Sequence, residues 1–210
     1  MMSSGSLKLI KKYFDLSILN IKNYLIIDDF FPKIICDQLY FNALYDPTVH
    51  VRYFDYNARE FDSGKENYSL KEISYNYVAP RISFFDINSY IRSWSLVMDN
   101  IAEGVGPHSD PGSTFTCNVW VTPNNCVYDT SKNGLILYNK KINSKFPIEN
   151  LMKDNKLESL HLSNVGYNVI PYKCNRAIIF RSDTIHKTNN VHMKCGHMNK
   201  RVSYTFLYGK

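Results

Sequence analysis

The sequence predicts a mainly β fold, an antiparallel sandwich or barrel carrying helices and a strand on its N-terminal side. Three observations predict it. Short apolar runs at 91–98, 114–121, 134–138, 165–170, 176–181 and 201–208 are separated by Gly, Pro, Asn and Asp, the punctuation of strands and turns. The gaps between them are too short for crossover helices, except around 145–160, so neighbouring strands run antiparallel. Tyr (16) and Phe (12) are abundant, and both suit a pleated, half-buried surface. A chain of 210 residues is long enough to bury a sizeable core. Without an internal repeat or a composition break, residues 1–210 read as one domain, with a β core over about 90–208 and N-terminal support over about 7–80.

The elements follow in order. Leu7 to Leu19 suits a short helix with a mixed face. Tyr24-Leu25-Ile26-Ile27 is apolar and partly β-branched, a strand. Asp28 and Asp29 precede Phe30-Phe31-Pro32; Pro32 suits the first turn of a helix, and acidic residues before it suit the helix dipole. Ile35, Leu39 and Ala43 then recur four apart, with Leu44 beside them, which predicts one amphipathic helix ending near Asp46-Pro47. Residues 50–80 are polar and aromatic, broken by Gly64 and Pro80, and predict a long, poorly regular segment.

Composition narrows the function. Hydrophobic residues at 44% and charged residues at 21% place the chain among globular rather than disordered proteins. The formal net charge of +6 is scattered, without a Lys/Arg block, which favours a solvated basic surface, or a pocket for an anion, over a nucleic-acid partner. Cysteines at 36, 117, 126, 174 and 195 are odd in number and form no Cys-x-x-Cys pair, the pattern of reduced thiols in the cytoplasm. Lys8, Lys11 and Lys12 are followed by apolar positions broken by Asp15 and Asn20, so no signal peptide is expected. No apolar run approaches the ~20 residues a membrane span needs.

The stretch Gly106-Pro107-His108-Ser109-Asp110-Pro111-Gly112 carries chemistry. In extended backbone, residues i and i+2 project to one face, so His108 and Asp110 present an imidazole and a carboxylate to one point. Taken alone, His108 reads as a loop histidine and Asp110 as a turn former. His186 follows the apolar run Ile178-Ile179-Phe180 and a short polar turn, which places it near a strand end. Two His and one carboxylate around a metal with open positions form the ligand set of non-haem iron(II) oxygenases. Arg201 opens Arg201-Val202-Ser203-Tyr204-Thr205-Phe206-Leu207-Tyr208. One face of that strand carries Arg201 then Ser203, a pair able to hold a carboxylate through charge-assisted hydrogen bonds.

The order His-x-Asp, distal His, Arg-x-Ser resembles the Fe(II)/2-oxoglutarate-dependent dioxygenase superfamily. Asn118-Val119-Trp120-Val121-Thr122-Pro123 and Gly134-Leu135-Ile136-Leu137-Tyr138 are similar to segments of that superfamily in which Trp-x-Thr-Pro follows the His-x-Asp strand. The lead-in "strand, Asp-Asp-Phe-Phe-Pro, helix" is similar too, so the resemblance spans about 24–208. It implies a double-stranded β-helix, or jelly roll. It also implies iron(II) held by His108, Asp110 and His186, and a 2-oxoglutarate cosubstrate whose C5 carboxylate binds Arg201 and Ser203. Asn118, inward-facing, is a further polar candidate for the cosubstrate or a metal-bound water. The implied reaction consumes O₂, releases succinate and CO₂, and hydroxylates a substrate C–H bond. Related halogenases lack the carboxylate, so Asp110 argues against halogenation. A lone 210-residue domain points to a small-molecule substrate, with a protein side chain as the alternative. A jelly-roll binding protein without turnover is the other class, and a nucleic-acid or membrane partner is not expected.

Other residues receive plainer readings. Trp94 and Trp120 read as core rather than substrate platform. Ser93, Ser95 and Tyr77 are candidates to line the pocket. His192, Cys195 and His197 lack a fourth zinc ligand and read as a loop with incidental ligands. That loop, 187–199, is where a substrate-covering lid would sit.

Overall fold

The computed structural model describes residues 22–45, 51–52, 56–61, 68–82, 87–141 and 162–209. The helix expected over Leu7–Leu19 and the long gap around 145–160 lie outside the described residues. The architecture is mainly β. A seven-stranded antiparallel sheet contains β1 (Tyr24–Ile27), β2 (Val51–Arg52), β3 (Tyr56–Phe61), β4 (Tyr90–Met98), β6 (Phe115–Trp120), β9 (Arg176–Arg181) and β12 (Arg201–Tyr208), in the order β1-β9-β6-β12-β4-β3-β2. A three-stranded sheet has the order β10-β7-β8, formed by β7 (Leu135–Lys141), β8 (Tyr167–Ile170) and β10 (Thr184–Thr188). The short strands β5 (Ile101–Ala102) and β11 (Val191–His192) pair with each other. Among the described residues no helix is long and apolar enough to cross a membrane.

β12 lies at the centre of the large sheet, between β4 and β6, and is buried along its whole length. Its two faces serve different cores. Val202, Tyr204, Phe206 and Tyr208 join the cluster formed with Cys36, Leu39, Tyr40 and Ala43 of helix α1 (Lys33–Tyr45). Arg201, Ser203 and Thr205 point the other way, into a cavity. The same period of two runs through β9: Ala177 and Ile179 face the helix side, whereas Ile178 and Phe180 join Trp120, Leu135, Leu137 and Ile170 on the side of the small sheet.

Two departures from the sequence expectation have physical causes. Asp28, one of the two acidic residues before Pro32, is engaged by side chains outside α1. It accepts from Arg176 Nε at 2.6 Å and Lys173 Nζ at 2.9 Å, and the Arg176 hydrogen bond helps hold its carboxyl down to about 2. The segment expected to be irregular contains β2, β3, the short helix α2 (Tyr68–Ile73) and a following π-turn, Ser74–Val78. β3 is secured by backbone pairing with β4 near the sheet edge, where an apolar alternation is not required.

Gly134 enters β7 where two backbones nearly touch: a Cβ there would lie 1.9 Å from the Ile170 carbonyl oxygen. Gly134→Ala is therefore expected to destabilise the fold by about 3 kcal/mol, the upper range for overpacking. Denaturant unfolding measures this, and an unchanged midpoint would show that β7 and β8 separate at little cost.

Candidate metal centre

The two histidines meet because the chain from Val105 to Asp110 runs beside the free edge of β10. His108 N–H donates to the His186 carbonyl at 2.9 Å, and His186 N–H returns a bond to His108 at 2.8 Å. Residues that exchange both bonds stand directly opposite and project to one face; their ring centroids are 4.2 Å apart. Asp110 N–H then donates to Ser182 O at 3.0 Å, which holds the backbone past the bridge, and the Asp110 carboxylate faces both imidazoles.

His108 Nε2 lies 4.0 Å from Asp110 Oδ1, and His186 Nε2 lies 3.6 Å from Asp110 Oδ2. One possible ligand atom from each residue falls within 4.8 Å of the other two. The tautomers follow from the far nitrogens. His108 Nδ1 is 2.7 Å from Gly106 O and His186 Nδ1 is 3.0 Å from Thr184 O. A carbonyl only accepts, so each Nδ1 carries a hydrogen, which leaves Nε2 as the nitrogen able to ligate a metal. Burial, and then His108 beside it, push the imidazolium of His186 down to about 4, so that ring is neutral at pH 7. Two imidazoles and a carboxylate thus converge, the donor set of a divalent cation.

The carboxylate is fixed from behind. Thr116 Oγ1 donates to Asp110 Oδ2 at 2.6 Å, Thr116 Oγ1 is 3.0 Å from Ser182 Oγ, and Ser113 Oγ bonds Ser182 Oγ at 2.8 Å. Thr116 was not foreseen, although it lies two residues before Asn118 on the same strand face, which the alternation of β6 could have indicated.

The cavity is small, with a volume of about 30 Å³, and opens to solvent. His108, Asp110, His186, Arg201, Ser203 and Asn118 all line it. Arg201 is only 2% exposed. Its Nε donates to Asn133 O at 2.7 Å, Nη1 reaches Ser203 Oγ at 3.3 Å, and the guanidinium stands 5.7 Å from the Trp120 ring centroid. Among the described residues no carboxylate pairs with it. Burial lowers its pKa to about 10, which still leaves a full cation at neutral pH. Asn118 Nδ2 donates to Thr205 Oγ1 at 3.0 Å, while its buried Oδ1 has no partner.

The remaining candidates separate. Trp94 lines the cavity, contrary to the core reading, whereas Trp120 is fully buried against Arg201. Ser93 and Ser95 are buried on the strand face opposite Trp94, and Tyr77 packs on the helix-side core. His192 stacks on Tyr128 and His197 approaches Tyr45. Among the described residues only His108, Asp110 and His186 could share a metal ion. Past Thr188, the segment thought able to form a lid supplies no cavity wall; Met193 and Lys194 bond back to Asn100 and Cys126.

No protein-family model matches the sequence, and no curated protein matches it. Solved structures do. SnoN, a non-haem α-ketoglutarate-dependent epimerase from nogalamycin biosynthesis, superposes with a TM-score of 0.62 at 11% identity, over 92% of this chain and 80% of that chain. HygX from Streptomyces hygroscopicus, with nickel and 2-oxoglutarate bound, gives 0.60 at 11% identity, over 92% and 85%. An oxidoreductase of the 2OG-Fe(II) oxygenase family from Burkholderia pseudomallei gives 0.57 at 14% identity, over 92% and 87%. The chain therefore has the fold found in the iron(II)/2-oxoglutarate oxygenases.

A buried cation without an anionic partner is a stability defect. Arg201→Met, which keeps volume and removes the charge, is expected to raise stability by about 1–2 kcal/mol. Denaturant unfolding reads this directly. A lowered midpoint would mean that the hydrogen bonds to Asn133 and Ser203 outweigh desolvation.

Proposed function

We propose that this chain is an iron(II)- and 2-oxoglutarate-dependent oxygenase on a double-stranded β-helix, acting on a small molecule. One observation carries the reading: a His-Asp-His donor set and a buried arginine without a carboxylate partner face one cavity. The interleaved strand orders support the β-helix. β4, β12, β6 and β9 lie together in the large sheet, while the 105–110 segment, β10, β7 and β8 lie together opposite.

The residues fit the cofactors. His108 and His186 would hold iron(II) through Nε2, and Asp110 through a carboxylate already oriented by Thr116. The guanidinium of Arg201, with Ser203 beside it, would hold the C5 carboxylate of 2-oxoglutarate and so end its own unpaired burial. Asn118 would offer its second Nδ2 hydrogen to the cosubstrate, while the orphaned Oδ1, which can only accept, would suit a donor such as a metal-bound water. Bound iron(II) and 2-oxoglutarate supply O₂ activation coupled to decarboxylation, giving succinate, CO₂ and an oxidised substrate. Leu96, Val105 and Leu135 form apolar wall around these groups and limit water. Hydroxylation is the proposed outcome; SnoN shows that another member of this fold directs the chemistry to epimerisation. Asp110 occupies the metal position a halide would need, which disfavours halogenation. Five free cysteines favour a reducing compartment such as the cytoplasm.

Anaerobic titration of the protein with iron(II) and then 2-oxoglutarate tests the reading through the visible charge-transfer absorption of the ternary complex. The parent protein is expected to develop the band and His108→Ala to lose it. Arg201→Ala should keep iron affinity and lose about 2–4 kcal/mol of 2-oxoglutarate binding, the scale of a broken buried charge pair. A parent protein without the band, or a His108→Ala, His186→Ala double variant that retains it, would overturn the assignment.

Thr116→Val removes the donor behind Asp110 at nearly constant volume. Iron(II) affinity is expected to fall about 10- to 100-fold, as for other groups that orient a metal ligand. Competition with a chromogenic chelator measures it, and parental affinity would show that Asp110 needs no such support.

A further inference from the structure

We propose that Asn133 is a positioning residue that sets the direction of the Arg201 guanidinium towards the cosubstrate; this rests on the proposed binding of 2-oxoglutarate by Arg201. An arginine side chain has several rotatable bonds, and Arg201 lacks an ion pair within the described protein to hold its plane. Its Nε instead donates to the backbone carbonyl of Asn133 at 2.7 Å. That bond leaves Nη1 to reach Ser203, on the cavity wall.

The carbonyl is held in place by an unusual degree of bonding. Asn133 is fully buried and takes φ of +66°, the left-handed conformation that Asn tolerates better than most residues. Its N–H donates to Asn190 O at 3.0 Å. Its Nδ2 donates to Asp129 O at 2.7 Å and to His192 O at 3.2 Å, and its Oδ1 accepts from the His192 N–H. Every polar group of the residue is thus used, and three of these bonds tie it to the 190–192 segment across the fold. On the next residue, Gly134 pins the backbone against Ile170. A turn alone would need only the left-handed conformation; the side-chain bonds fix where the carbonyl points, and what it meets is Arg201.

Asn133→Gly tests this, because glycine keeps the left-handed backbone and removes only the side-chain bonds. Binding is read anaerobically on the iron(II)-loaded protein with two probes. One is 2-oxoglutarate; the other is 2-oxobutyrate, which keeps the chelating oxo-acid end and lacks the distal carboxylate. The expected result is a Kd for 2-oxoglutarate raised about 10-fold or more, the scale of a misplaced binding group, with iron(II) and 2-oxobutyrate affinities unchanged. Equal losses for both oxo acids, or a lowered melting temperature with parental affinities, would overturn the proposal, because either marks a purely structural residue. If Asn133→Gly does not fold, Asn133→Asp, which keeps Oδ1 and loses both Nδ2 bonds, is read in the same way. Arg201→Ala separates the two levels. If it binds 2-oxoglutarate as the parent does, both readings fall; if it is impaired while Asn133→Gly is not, only the role of Asn133 falls.

Discussion

A guanidinium buried without a carboxylate partner is the feature around which the cavity is organised. Desolvating a cation is expensive unless hydrogen bonds or an opposite charge compensate it. Within the described protein Arg201 has hydrogen bonds to Asn133 O and Ser203 Oγ, and the face of Trp120. Asp110, the carboxylate that lines the same cavity, is engaged instead by Thr116. The two opposite charges share one space and are kept from closing on each other. An ion pair between them would stabilise the chain and fill the cavity's chemistry at the same stroke.

That separation depends on how the strands are laid out. β12 can present Arg201 to the cavity only because its other face is secured by α1 and the helix-side core, including a Tyr204 hydroxyl bonded to Leu39 O at 2.8 Å. The metal-side residues come from another source, the 105–110 segment and β10. β6 connects the two, with Thr116 reaching Asp110 and Asn118 reaching Thr205 of β12. A one-residue slip of β6 against β12 would turn both side chains out of the cavity. Register, more than loop shape, sets the geometry here.

The sequence was informative where a period or a residue type carries its own physical meaning. The apolar runs became β4, β6, β7, β8, β9 and β12 with ends shifted by at most a few residues. The i, i+2 rule correctly turned His108 and Asp110 to one face, and the alternation in 201–208 separated Arg201 and Ser203 from Tyr204 and Phe206. β10 was missed because Thr184-Ile185-His186-Lys187-Thr188 is short and mixed in polarity; what makes it a strand is the pairing with β7 and with His108. Trp94 was assigned to the core since an aromatic pattern does not reveal which of two buried faces encloses a cavity. Asn133-Gly134 announces a turn, but nothing local reveals that its carbonyl meets an arginine 68 residues away.

Charge bookkeeping connects these features to the proposed chemistry. The cavity walls contribute one carboxylate from Asp110 and one guanidinium from Arg201, and the two histidines would hold a metal as neutral imidazoles. The protein's own contribution therefore sums to zero. A divalent cation adds two positive charges, and the dianion of 2-oxoglutarate removes them, so the filled site is again neutral. In a partly enclosed space of low dielectric, a balanced set of charges is far less costly than any subset of it. In the proposed site the same balance would favour binding of the dianion after the metal, because Arg201 facing Asp110 alone offers it no net positive charge. A bound halide would break the balance by one negative charge unless Asp110 were absent. In the proposed site, the carboxylate that would complete the donor set with His108 and His186 is thus also the group that would make a second inorganic anion unfavourable, and its orientation depends on the Thr116 hydroxyl.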